Sequence, residues 1–129
     1  MSSAPPPTLP ILWSSFVMSH GLFVGLSFFL PPEPMAEAGW GPALGLPAVV
    51  AAGLAAEGSV LGRAAQNLQT WFLLRFALAE VAGIVGFIAW FLTGDHLVQL
   101  GCAGAGLLAH LAAFPTARAV ETYAELSRR

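Results

Sequence analysis

Glu80 lies near the middle of the apolar run Trp71–Leu92, WFLLRFALAEVAGIVGFIAWFL. A lone carboxylate at the centre of a hydrocarbon-embedded helix costs about 2.5–3.5 kcal/mol on insertion scales, so such groups are kept to bind protons or ions or to lock helices together. Loss of water favours a held or shared proton over a bare charge. His20 sits inside another apolar run, Ile11–Leu30. Counting ~1.5 Å per residue from the nearer ends places both side chains ~13 Å deep, close to a bilayer midplane. The chemistry this implies is reversible proton binding, with Glu80 as the site and His20 as its partner. The plainer alternative is a neutral Glu80 donating one hydrogen bond to a helix carbonyl, and so holding two helices together.

A second layer of polar residues, Glu57, Arg75 and His110, counts out nearer one end. In a hairpin turning near residues 66–67, Glu57 and Arg75 come level, which predicts a structural ion pair fixing the register of the two helices. Two histidines on different helices also raise haem ligation. Axial ligands must share one level, however, and the count leaves His110 several residues away from His20. No metal and no cofactor are expected. Ser19 beside His20 points to a different helix face and lacks an orienting acid, so no enzymatic triad is read and no enzyme is expected.

The elements that must position these groups are apolar helices. The chain of 129 residues is 57% hydrophobic and only 9% charged, far from the quarter-charged soluble average. Its mean hydropathy is +0.74. Apolar runs of spanning length fall at 11–30, 43–62, 71–92 and 97–114. Pro31, Pro32 and Pro34 stop the first, Pro47 falls in the first turns of the second, and Pro115 ends the fourth. Gly94 and Asp95 link the last two, with Asp95 placed to cap the fourth helix. The fold class read from this pattern is all-α, an integral membrane bundle of four transmembrane helices spanning 11–115. Residues 1–10 read as a disordered Pro/Ser-rich tail, and 116–129 as a cytoplasmic amphipathic tail with a Glu125–Arg129 pair.

Arg63, Arg118, Arg128 and Arg129 all fall on the side shared by both termini and the second-to-third connection, with Arg75 close by. The positive-inside rule then puts both termini in the cytoplasm. A cleavable leader ending at Ala36-Glu37-Ala38 fits poorly, because the stretch before the first run has no Lys or Arg. The chain has no lysine and is rich in Ala and Gly, the composition of a GC-rich bacterial genome, so the expected location is the cell inner membrane. The single cysteine, Cys102, excludes an intramolecular disulfide, and a net charge of −2 argues against a nucleic-acid partner. Small residues at helical spacing, among them Gly21 and Gly25, Gly53, and Gly83, predict close helix packing. Expected partners are the lipid bilayer and further copies of the chain or a larger membrane complex.

The segment Arg63–Leu92, with an arginine in the polar loop, Gln69-Thr70 before the helix, and ALAE leading into a glycine-containing apolar run, resembles the hairpin of the rotor-ring subunit c of ATP synthases. The resemblance implies a cytoplasmic loop and makes Glu80 the position of the proton or sodium site. The chain departs from that family in its loop, which lacks Arg-(Gln/Asn)-Pro, and in its second run, where only Gly45, Gly53, Gly58 and Gly62 stand for a glycine repeat. The whole chain looks like a group of short bacterial four-span membrane proteins without an assigned activity, on its ALAE helix and its HLAAFPTAR ending. A drug–proton antiporter of similar size would carry an acid in the first run, where this chain has His20. The reading is therefore a proton-binding membrane component related to subunit c. Its rival is an accessory subunit in which Glu80 is a helix lock.

Overall fold

The computed structural model describes residues 4–33 and 38–128. Among them it is all-helical: α1 (Thr8–Leu26), a 3-10 turn (Ala38–Trp40), α2 (Gly41–Glu57), α3 (Ser59–Ala64), α4 (Leu68–Thr93), α5 (His96–Ala112) and α6 (Ala117–Leu126). Helix ends follow local chemistry. Asn67 caps α4 by accepting from the Thr70 amide at 2.9 Å, and Thr116 caps α6 by accepting from the Ala119 amide at 3.1 Å. Asp95 caps α5 through the amides of Leu97 and Val98. Gly94 closes α4 with φ +74°, a conformation open to glycine at no steric cost.

Two helices, α1 and α4, are long and apolar enough to cross a bilayer. The helices of the other two apolar runs, α2 and α5, have 17 residues each, and α5 is bent by 85° from α6. The α4–α5 hairpin is antiparallel, and both α1 and α2 pack on it. Small side chains seat α2, with Ala48, Ala52 and Ala55 meeting Ala79, Ala82 and Ala109. Large apolar side chains face outward all round, including Met18 on α1, Val49 on α2 and Leu108 on α5.

Two expectations about the elements need correction. The first helix starts at Thr8, inside the segment read as a disordered tail. Pro10 is tolerated in a first turn, where its missing amide has no intrahelical acceptor, and Leu9 is fully buried against the aromatic cluster of Trp71, Phe72 and Phe76. Residues 1–3, the Ala36-Glu37 part of the small-x-small motif, and Arg129 of the Glu125 pair lie outside the described residues.

The run 43–62 is not one helix either. It breaks at Gly58, which takes φ +70° and leaves α3 as a separate turn. The Trp71 indole donates to the Gly58 carbonyl at 2.8 Å and holds the break in place. The C-terminal segment, read as an amphipathic tail, forms α6, which sets Tyr123 against Trp71 with ring centroids 5.5 Å apart and lays Leu126 against Gly62.

A Cβ at position 58 would stand 3.0 Å from Arg75 Nε and 3.2 Å from the Trp71 ring, besides meeting the left-handed backbone penalty. Gly58→Ala is expected to lower stability by about 1–2 kcal/mol. Gly53→Ala, where a Cβ meets nothing within 4 Å, should stay within about 0.5 kcal/mol of wild type. Denaturant unfolding in detergent micelles checks both.

Candidate functional site

His20 from α1, Glu80 from α4 and His110 from α5 meet in the interior, all three buried. Glu80 Oε2 lies 3.6 Å from His20 Nδ1 and 3.5 Å from His110 Nε2. The two imidazoles stand edge to face, with centroids 5.5 Å apart. Room for them comes from glycine. A Cβ on Gly83 would fall 2.6 Å from His20 Nδ1, and one on Gly106 would collide with His20 Cε1 and stand 2.8 Å from the Ala79 carbonyl.

His110 joins this centre, against the level estimated by counting residues. In a helix each side chain leans toward its own N-terminus. Since α4 and α5 are antiparallel, Glu80 and His110 lean toward one another and close the gap that separates their backbones. The two rings therefore meet although their backbones count out at different levels. They stand in edge-to-face contact with the Glu80 carboxyl beside both, an arrangement without the gap that a porphyrin between two axial histidines would need.

Hydrogen bonding fixes part of the protonation pattern. His20 Nε2 lies 2.9 Å from the Ala103 carbonyl, which can only accept, so Nε2 carries a hydrogen in either charge state. In the neutral ring Nδ1 is then a lone pair, and it faces Glu80. Among the described residues neither Glu80 oxygen, nor His20 Nδ1, nor either nitrogen of His110 has a hydrogen-bond partner. The separations of 3.5 and 3.6 Å exceed the usual ~2.7–3.2 Å hydrogen-bond range. His110 can turn an N–H toward the carboxylate as one of its tautomers. Neutral His20 cannot, so its contact with an ionised Glu80 is one proton short. The three donor atoms also lie within 4.8 Å of one another, a spacing compatible with a small cation. A divalent ion with one carboxylate and two neutral imidazoles would leave a net positive charge in an apolar bundle, whereas one added proton leaves the group neutral.

Glu57 and Arg75, expected as an ion pair, are not joined. Glu57 accepts from the Ser59 amide at 3.0 Å across the Gly58 break. Arg75 is buried and donates to the carbonyls of Ala55 at 2.7 Å and of Ala56 and Ala112 at 2.9 Å each. These carbonyls end α2 and α5, where helix dipoles are negative and carbonyls lack intrahelical partners, so the guanidinium caps two helices at once. Its carbon lies 4.8 Å from the Trp71 ring centroid, a cation–π contact.

Of the glycines expected at helix contacts, Gly83 is one, while a Cβ at Gly21, Gly25 or Gly53 would meet nothing within 4 Å. The GxxxG spacing of α1 lies off the face that carries His20 inward, and α2 uses alanines instead. Close approach elsewhere falls to Gly45, Gly86 and Gly106. Gly106 stands four residues before His110, a small-residue spacing visible in the sequence.

No protein-family profile, no curated protein and no solved structure matches this chain. The geometry above therefore carries the functional argument.

Nitrogen-15 NMR of histidine-labelled protein should show His20 with a protonated Nε2 throughout its titration and the change confined to Nδ1. Gly83→Ala, by pushing on that nitrogen, should shift the His20 signals while leaving those of His96 in place. A Nδ1–H tautomer for neutral His20 would contradict the assignment.

Proposed function

We propose that the chain is a four-span inner-membrane protein, both termini cytoplasmic, whose central His20–Glu80–His110 group binds a proton reversibly. One observation carries the reading: the Ala103 carbonyl commits His20 Nε2 as a donor, so in a neutral His20 the Nδ1 lone pair faces the Glu80 carboxyl at 3.6 Å. A single proton completes that contact, and the filled group is neutral. The carboxyl and imidazole then share it, with His110 Nε2 3.5 Å from the same oxygen. A groove of about 380 Å³ between α1 and α5, walled mainly by apolar side chains, reaches His20 beside Gly21, Ala103 and Leu107.

The membrane setting is supported by α1 and α4, long and apolar enough to span, and by apolar outward faces on α2 and α5. The likeness of Arg63–Leu92 to subunit c bears on the same carboxyl, with the difference that Glu80 here is flanked by two histidines. Lipid is the first partner, and the open glycine faces at Gly21 and Gly25 leave space for a further copy or a larger complex.

A hydrophobic carbodiimide, which reacts with the protonated acid, should label Glu80 in native-like membranes. Labelling should fall as pH rises and vanish in Glu80→Gln. Replacing His20 with Gln should alter the pH dependence without abolishing labelling. Absence of labelling at every pH would favour a permanently sealed helix lock, and one equivalent of tightly held metal in the purified protein would contradict the proton reading.

A further inference from the structure

The strongest unassigned feature lies where α2 and α5 end and α6 begins. A cavity of about 280 Å³ opens there, near the lower end of small-ligand pockets (~300–1,000 Å³). Its lining is mixed: Arg75, Arg118, Thr116 and Thr122 are polar, and Leu111 and Phe114, both exposed, are apolar.

Arg75 is a deeply buried cation in this lining. Its Nε and Nη2 are bound to carbonyls, and its Nη1 makes no hydrogen bond among the described residues. Arg118 is exposed and has no acidic partner within ion-pair distance among those residues. The start of α6 adds the positive end of a ten-residue helix. Glu57 also lines the cavity, but its carboxylate is engaged by the Ser59 amide. Two guanidiniums and the start of α6 stand against the Glu57 carboxylate and the carbonyl ends of α2 and α5, which leaves a small positive excess, carried chiefly by the exposed Arg118.

We infer that this cavity binds the phosphate of an anionic phospholipid headgroup, with Arg75 and Arg118 on the phosphate and the acyl chains running out along Leu111 and Phe114. Arginine suits phosphate because its planar fork offers paired donors. The inference rests on the membrane reading proposed above, since only then does the α5–α6 elbow stand at headgroup level. Phosphate joined to a hydrocarbon tail uses both the cationic and the apolar part of the lining.

The test is native mass spectrometry of the full-length protein, delipidated in gentle detergent and offered phosphatidylglycerol or phosphatidylcholine. Phosphatidylglycerol should be retained in preference, and Arg118→Gln, an exposed change that leaves the Arg75 caps intact, should weaken that preference about fivefold. Excess inorganic phosphate should not displace the lipid. Equal retention of both lipids, or a preference unchanged by Arg118→Gln, would overturn the inference. Displacement by phosphate alone would also overturn it and mark a site for free phosphate. An alkaline wash of membranes separates the two levels: release of the protein would remove the membrane reading itself, whereas firm retention without lipid preference would remove only this site.

Discussion

The helix α4 carries two ionisable side chains, Arg75 and Glu80, into apolar surroundings, and the bundle is arranged around them. Arg75 and Glu80 are five residues apart, so at 100° per residue they face directions about 140° apart and address different neighbours. Arg75 draws the carbonyl ends of α2 and α5 to one point. Removing it would strand three carbonyls and free two helix ends, whereas no carboxylate is needed to balance a charge already spread over two dipoles. The break at Gly58 belongs to the same arrangement, because it ends α2 where the guanidinium and the Trp71 indole can reach its last carbonyls.

Glu80 stands differently. Among the described residues no hydrogen-bond donor reaches it, and its neighbours are two imidazoles brought in by α1 and α5. The position of α1 follows from this requirement as much as from apolar packing: only Leu9 and His20 of that helix are buried, one at the aromatic end of the bundle and one at the carboxylate. Trp13 adds a third tether by donating to the His110 carbonyl at 2.7 Å, so the strand of contacts holding α1 also steadies the histidine opposite. Glycine at 83 and 106 lets three helices close until both imidazoles stand within 3.6 Å of the carboxylate.

Much of this was legible in the residues. Hydropathy gives four apolar runs, and a depth count brings His20 to Glu80, because parallel helices starting at one level keep equal counts level. The same count misplaced His110, since it follows backbones and ignores the opposed lean of side chains on antiparallel helices. Arg75 read as the partner of Glu57 because opposite charges at one level suggest a pair. That the end of α5 arrives at the same point is a tertiary fact that no local pattern announces. GxxxG in α1 likewise shows that a close approach is possible on a face without showing that the face is used, and here Gly21 and Gly25 stay open while Gly106 takes the contact. The tail was misread because its prolines signal disorder in general, whereas Pro10 sits where a helix tolerates it and Leu9 has an aromatic cluster to enter.

The central claim is that Glu80 exchanges a proton inside the bundle, and infrared difference spectroscopy across a pH jump tests it most directly. The account requires a carboxylic-acid carbonyl band that disappears as pH rises, is matched by a change in imidazole bands, and is missing in Glu80→Gln. A band from Glu80 that persists unchanged through the same jump would mean a permanently protonated helix lock, and would contradict it.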